Sequence, residues 1–224
     1  YHVVVANPPY MGSGGMNASL SDFAQKNFPA SKSDHFSMFI ERCIGLGKAK
    51  SHIGMITLPS WLFLSSFEKV RHEVIDSSNV CSLLHMGRGN FGIDWGSVAF
   101  CLSKGQSQGT PGDFFRLHKR NVQHIYPEDI ARIFLMAKSD SNFRFDFDTY
   151  REDGKISEID QCDSPSSQAI HYKFHTKDFE KIPSAPFAFW VSKPLLSSFE
   201  ENAPISEKFV SGGRLKTHGD AKYV

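Results

Sequence analysis

The apolar positions near the start of the chain fall into two different periodicities. Positions 3–5 are all valine, an uninterrupted β-branched run that is typical of a short strand buried on both faces of a parallel sheet. We place this strand at 2–6. Residues 7–33 combine prolines, glycines and polar side chains with little periodicity, which indicates a long flexible loop. Asp34 can cap a following helix, which ends near Gly47 because apolar residues recur at three- and four-residue spacing up to that point.

A second strand and helix follow in the same order. Residues 53–58 read as a buried strand that Pro59 stops, and Ser65 with Glu68 fits a capping box for a helix through about Ile75. A strand, a crossover helix and another strand are usually parallel neighbours in one sheet. The pattern therefore predicts an α/β fold whose first strands run parallel.

Two more strands, at 80–86 and 97–102, are joined by a glycine-rich connection that is too short for a helix, so we expect them to pair antiparallel. The composition then changes over 105–112 to Gln, Ser, Gly, Thr and Pro, which marks a boundary. We divide the chain there into a first domain, 1–104, and a second region, 105–224.

The second region has a weaker pattern. Residues 114–117 form a probable strand, and Pro127 stands at the first turn of a short helix. Residues 139–170 are polar and poorly patterned. Prolines punctuate the aromatic stretch 187–190, and a helical turn is expected to begin at residues 197–198. This arrangement indicates a mixed α+β region without an internal repeat.

Composition adds a few exclusions. The 224 residues are 40% hydrophobic and 22% charged, and the formal net charge of +1 makes any polyanion binding depend on a local basic patch. The four cysteines are scattered, without CxxC pairs or histidines at metal-ligand spacing, so we expect reduced thiols, no metal site and a cytoplasmic location. No apolar run approaches the roughly 18–20 residues of a membrane span. Because the chain starts at Tyr1 within an apolar stretch, we interpret it as an internal fragment.

The segment Asn7-Pro8-Pro9-Tyr10 directly follows the first strand, at the carboxyl end where open α/β sheets place their ligand crevice. The Asn7 amide oxygen and the Pro8 carbonyl can each accept one hydrogen from an amino group. Two such acceptors would favour a pyramidal, nucleophilic nitrogen in the transition state. Tyr10 offers a flat face for an extruded base. The alternative is a proline-rich turn that only ends a strand.

This tetrapeptide resembles that of the amino-group N-methyltransferases that use S-adenosylmethionine, in which it follows the fourth strand of a Rossmann-like sheet. The resemblance covers residues 1–104. It implies the C-terminal half of that sheet, followed by a region that leads toward a target-recognition domain. The residues it implies as catalytic are Asn7, Pro8, Pro9 and Tyr10, with double-stranded DNA as partner and S-adenosylmethionine as methyl donor.

More narrowly, the chain resembles the PglX methyltransferases of BREX phage-defence systems and related long restriction-modification methylases. In that comparison Phe91 falls where an aromatic residue packs against a flipped adenine, with Trp95 as the competing candidate. Arg214 and Lys216 could contact DNA phosphates. The segment 217–221 departs from the Thr-Gly-Asp/Asn-Asn-like turn usual there. Phe91 could equally be a core residue, and the two basic residues could belong to a solvated loop.

The resemblance also places the cofactor-binding elements, a glycine-rich loop and an acidic residue, upstream of this sequence. We therefore expect the isolated chain to be inactive, the strand before Asn7 to present an unpaired edge, and Gly12–Gly15 to act as a mobile lid. The resemblance also implies other phage-defence proteins as partners. Two alternatives remain open: a methyltransferase acting on a glutamine amide of a protein, and a non-catalytic module that binds DNA or a partner.

Overall fold

The computed structural model describes residues 1–89, 96–105, 109–119, 124–150 and 164–203. In these ranges the chain is a mixed α/β structure. Its helices are α1 Ala18–Asn27, α2 His35–Leu46, α3 Glu68–Ser77, α4 Pro127–Ser139 and α5 Lys193–Glu201. Its strands are β1 Val3–Ala6, β2 His52–Thr57, β3 Ser78–Gly87, β4 Ser97–Lys104, β5 Gly112–Arg116, β6 Arg144–Phe145, β7 Gln168–Ala169 and β8 His171–Phe174.

Six of the strands form one sheet in the order β1-β2-β4-β3-β5-β8. The pairs β1–β2 and β3–β5 are parallel, whereas β4 is antiparallel to both β2 and β3, and β8 is antiparallel to β5. The strands β1, β2, β3 and β5 therefore run in one direction, and their carboxyl ends meet at one edge of the sheet. The predicted parallel and antiparallel pairings are both confirmed.

Successive residues of a strand point to opposite faces, so the sheet has two separate cores. Helices α2 and α3 cover one face, and residues that include Ile53, Val98 and Phe114 pack there in a first core. On the other face, Phe115 packs with Ile130 and Ile133 of α4 in a second core. Neighbouring positions 114 and 115 thus anchor β5 to both layers.

Strand β1 lies at the edge of the sheet and is exposed on one face. The side chains of Val3 and Val5 are 62% and 79% exposed, so the expectation of a strand buried on both faces is wrong. Hydrophobicity alone cannot show whether a covering layer is present. Within the described ranges, β1 pairs only with β2.

Three further expectations need correction. The predicted loop 7–33 contains helix α1, whose first turn is capped because the Asn17 side chain accepts a hydrogen bond from the Leu20 amide at 2.9 Å. The predicted capping box at Ser65 does not form, since α3 follows a 3₁₀ turn without a side-chain cap. Helix α5 begins at Lys193, earlier than the predicted turn, with a proline in its first turn.

The sheet continues past residue 104. Strands β5 and β8 extend it beyond β3, and the first core includes Phe179, Phe187 and Phe189 together with residues of the first hundred positions. The division into 1–104 and 105–224 stays a prediction. None of the helices in the described ranges is both long enough and apolar enough to cross a membrane.

Candidate active site

Asn7 follows β1 at the carboxyl edge of the sheet and its side chain is exposed, whereas the neighbouring Pro8 is buried. A buried proline fixes the backbone at this point because its ring restricts φ. Within the described ranges, nothing donates a hydrogen bond to the Asn7 amide oxygen or to the Pro8 carbonyl oxygen. Both acceptors are therefore unengaged in the described part of the chain, and Asn7 is exposed.

Tyr10 is half-buried and packs edge-on against Phe36 of α2, with ring centroids 6.2 Å apart. Its burial raises the pKa of the phenol, so the ring stays neutral at physiological pH. Edge-to-face contact leaves Tyr10 in a fixed position beside the exposed Asn7.

Asp34 ties the segment after Tyr10 to helix α2. Its Oδ1 accepts hydrogen bonds from the Met11 amide at 3.1 Å and from the Phe36 amide at 3.2 Å. The first bond holds the chain that leaves the tetrapeptide, and the second caps the helix that carries the Tyr10 contact. The glycine-rich turn is also attached, since the Ser13 amide donates to the Ser33 carbonyl at 3.0 Å.

A hollow of about 270 Å³ opens beside Asn7 on the face of the sheet that α2 and α3 do not cover. Its walls come from β1, β2, β3 and β4 and are mostly apolar; Asn7, Ser82 and Cys101 are their polar side chains. Binding S-adenosylmethionine would need partners for ribose hydroxyls, and acidic side chains usually fill that role for bound nucleosides. None of the residues that line this hollow is acidic. The lining of this hollow as described therefore offers no acidic partner for a ribose hydroxyl, and the role of Asn7 in binding an amino group stays a prediction.

The remaining predicted site residues cannot be compared with the structure. Phe91 and Trp95 lie outside the described residues, as do Arg214 and Lys216. Their predicted roles stay predictions. In the ranges that are described, no group of three or more His, Cys, Asp or Glu side chains could hold a metal ion.

A second cavity, of about 460 Å³, lies at the same carboxyl edge and shares no residue with the first. It is bounded by the segment after β2, by the end of β3 and by the end of β5. The lining residues are Leu58, Pro59, Ser60, Phe63, Leu64, His85, Arg116, His118 and Trp190. Sequence analysis did not single out Phe63, His85 or Trp190 for a site. The available signal was weak: polar residues at the carboxyl ends of parallel strands.

The polar groups of this second cavity are buried and closely packed. The His85 and His118 side chains are each 3% exposed, and their rings meet edge-on with centroids 4.2 Å apart. The Arg116 guanidinium lies 4.2 Å from the centre of the Trp190 ring, and its Nη2 donates to the Lys119 carbonyl at 2.9 Å. Burial, together with the nearby charges of His118 and Arg116, holds the pKa of His85 well below its usual range.

Comparison with known proteins shows to which family the first part of the chain is similar. Residues 1–91 match the Eco57I restriction-modification methylase family. The tetrapeptide Asn7–Tyr10 and strands β1 to β3 all lie within this match. The predicted resemblance to restriction-modification methylases is confirmed.

Two curated relatives extend the similarity to almost the whole chain. The adenine-specific methyltransferase BrxX of Escherichia coli O9:H4 (strain HS) is 30% identical over 98% of this chain and 15% of its own length. The adenine-specific methyltransferase PglX of Lacticaseibacillus casei (strain Zhang) is 32% identical over 98% of this chain and 16% of its own length. The chain therefore spans about a sixth of each relative.

A solved structure supports the fold. The methyltransferase subunit of a type I restriction-modification system from Streptococcus thermophilus superposes with a TM-score of 0.50 over 84% of this chain and 37% of that subunit, at 13% identity. At this identity the match is one of fold. The predicted α/β fold class is confirmed, although β8 and the two-stranded pair β6–β7 were not predicted.

Proposed function

We propose that this chain forms the part of a DNA adenine-N6 methyltransferase that binds the target adenine. The enzyme uses S-adenosylmethionine and works in restriction-modification or BREX-type phage defence. The observation that carries the proposal is the exposed Asn7 at the carboxyl end of β1, with its amide oxygen and the Pro8 carbonyl oxygen both free of donors in the described part of the chain. The naming of BrxX and PglX as adenine-specific methyltransferases supports the choice of substrate.

In this mechanism, the Asn7 amide oxygen and the Pro8 carbonyl oxygen each accept a hydrogen bond from one N–H of the adenine N6 amino group. Hydrogen bonds to both hydrogens localise the nitrogen lone pair, so the interaction strengthens as N6 becomes pyramidal and attacks. S-adenosylmethionine supplies the methyl group when bound. One N6 proton leaves to solvent as the new bond forms, because a neutral asparagine amide is not a base.

The adenine must leave the duplex to reach Asn7, since N6 is engaged in base pairing inside the helix. We propose that the ring of Tyr10, supported edge-on by Phe36, stacks on the extruded base. Phe91 or Trp95 would pack against the same base, and Arg214 and Lys216 would contact phosphates. Phosphate contacts of this kind position the DNA without reading its sequence.

The test is a methylation assay with the complete protein that contains this segment and a methyl-labelled donor. Duplex DNA and denatured protein are supplied as separate substrates. With the complete protein, the proposal expects label on adenine N6 of the DNA. In a parallel reaction with the isolated 224-residue chain, it expects no label on either substrate. Label on glutamine amides, with unmodified DNA, would replace the proposal by a protein methyltransferase.

A further inference from the structure

The second cavity carries an unexplained polar group. Both ring nitrogens of His85 are buried and have no hydrogen-bond partner within the described part of the chain, and His85 lines the cavity. Buried polar groups in native proteins nearly always have a partner, so such an exception needs an explanation. A ligand seated in the cavity would supply one.

The chemistry of the walls limits what this ligand can be. A neutral His85 offers one N–H donor and one acceptor nitrogen, and the buried Nε–H of Arg116 is a further donor without a partner among the described residues. The ligand edge must therefore present acceptors next to a donor. Phe63 and Trp190, with ring centroids 5.6 Å apart, add aromatic faces to a mostly apolar wall. A flat heterocycle with donors and acceptors along one edge meets both requirements.

The location fits the same reading. His85 lies on β3 and Asn7 follows β1, which is three strand positions away in the sheet. At about 4.8 Å per strand this separation is about 14 Å. It corresponds to about four nucleotides of B-form DNA at roughly 3.4 Å each. DNA held at Asn7 can thus reach the second cavity within one recognition site.

The orientation of Arg116 is fixed in advance. Its guanidinium lies against Trp190 and its Nη2 donates to the Lys119 carbonyl, whereas its buried Nε has no partner among the described residues. Gly87 permits the close packing around His118, because its φ is +74° and a Cβ there would lie 3.1 Å from the His118 side chain. Arg116 and His118 are therefore held in place by contacts within the protein, which lowers the cost of ordering them on binding.

We infer that the cavity between Phe63, His85, Arg116 and Trp190 binds a second unstacked nucleobase of the DNA, separate from the adenine at Asn7. This inference rests on the proposed function for its source of nucleobases. A base held here would help to keep the duplex open while the target adenine is out of the stack. The bound base stacks on Phe63 beside Trp190 and hydrogen-bonds to His85 and Arg116.

The test is an abasic scan of a duplex that the complete protein binds. Each base within about six positions of the methylated adenine is removed in turn, and affinity is measured for the wild type and for Phe63→Leu. Because stacking of a base on an aromatic ring strengthens binding, we expect Phe63→Leu to weaken binding roughly tenfold. We also expect that removing the base at one position other than the adenine weakens binding by the wild type but not by the variant. Phe199→Leu replaces another partly exposed phenylalanine, on α5 and outside the cavity, and this matched control should bind like the wild type.

His85→Phe provides a second variant, which keeps a flat buried ring but removes both ring nitrogens. It should lose the dependence on the same position. Equal effects of base removal in wild type and both variants, with adenine methylation intact, would overturn the inference and leave the proposed function standing. If free adenosine or thymidine binds saturably while removal of each DNA base other than the adenine leaves the affinity unchanged, the cavity binds a free nucleoside and the inference of a DNA base is wrong. Loss of adenine methylation from Asn7 variants bears only on the first site.

Discussion

The guanidinium group of Arg71 donates two hydrogen bonds to the carbonyl oxygen of Ser184, from Nε at 3.0 Å and from Nη2 at 2.8 Å. Its Nη1 donates to the carbonyl oxygens of Trp61, at 2.9 Å, and Leu64, at 2.7 Å. Arg71 is fully buried in α3. One side chain thus fastens a late segment of the chain to the turn that carries Phe63, and it fixes one wall of the second cavity.

Replacing Arg71 by methionine should destabilise the chain. The variant keeps much of the apolar stem but removes the side-chain donor to the carbonyl oxygens of Ser184, Trp61 and Leu64. The Leu64 oxygen keeps a bond from the Phe67 amide, and an unsatisfied buried group costs about 1–3 kcal/mol. Urea denaturation of the 224-residue chain measures the change. Arg42→Met on the exposed side of α2 is the control and should leave the midpoint unchanged. An unaltered midpoint for Arg71→Met would mean that the two segments do not depend on this contact.

Asp34 should hold the segment after Tyr10 in place. Asp34→Ala removes the acceptor for both the Met11 and the Phe36 amides, and loss of a helix cap costs about 1 kcal/mol. Hydrogen exchange should show faster exchange of the Met11 amide, because this bond is the long-range tie. Asp34→Asn keeps a side-chain oxygen and should retain protection. A Met11 amide that stays protected in Asp34→Ala would contradict the assigned role.

Acid should weaken the pairing of β5 with β8. Burial raises the pKa of Asp113, but the hydrogen bonds from Lys173 and His171 and the charges of these two residues together lower it by more. The net pKa of Asp113 is therefore below its usual value. Both partners lie 2.6 Å from Asp113 Oδ1. A carboxyl group whose pKa is lower in the folded state stabilises the folded chain at pH values above its ordinary pKa of about 4. This stabilisation is lost as the pH falls through the lower pKa of the folded state. The carboxylate is partly exposed, so the effect should be small.

The measurement is the free energy of unfolding between about pH 5 and pH 2. Asp113→Asn should remove part of the acid dependence, with Asp140→Asn on an exposed turn as control. Identical pH profiles for wild type and Asp113→Asn would show that this carboxylate does not contribute.

The sequence predicted the strands and helices with strong periodicity. Asp34 does cap α2, and Pro127 does open α4, because both signals act through local backbone hydrogen bonds that the sequence alone determines. The antiparallel pairing of β3 with β4 followed from a connection too short for a crossover helix. Local rules sufficed wherever a single element or a short connection decided the outcome.

Features that depend on distant contacts were missed. Strand β8 directly follows the polar stretch 139–170 and pairs with β5, where His171 contacts Asp113, 58 residues earlier in the chain. Val5 has the pattern of a buried strand but lies on an edge, which only the topology reveals. The second cavity joins ends of β3 and β5 with Trp190, and no local spacing brings these together. The candidate site at Asn7 was inferred from the strand and the following prolines, and its role stays a prediction.

The most direct measurement is the rate of adenine-N6 methylation of duplex DNA by the complete protein carrying Asn7→Ala. Loss of one preorganised hydrogen-bonding group at a reacting centre typically lowers the rate by about a hundredfold or more. We predict such a loss with unchanged affinity for S-adenosylmethionine, whereas Asn27→Ala, an exposed asparagine on α1, should retain the wild-type rate. Methylation by Asn7→Ala at the wild-type rate would contradict the account.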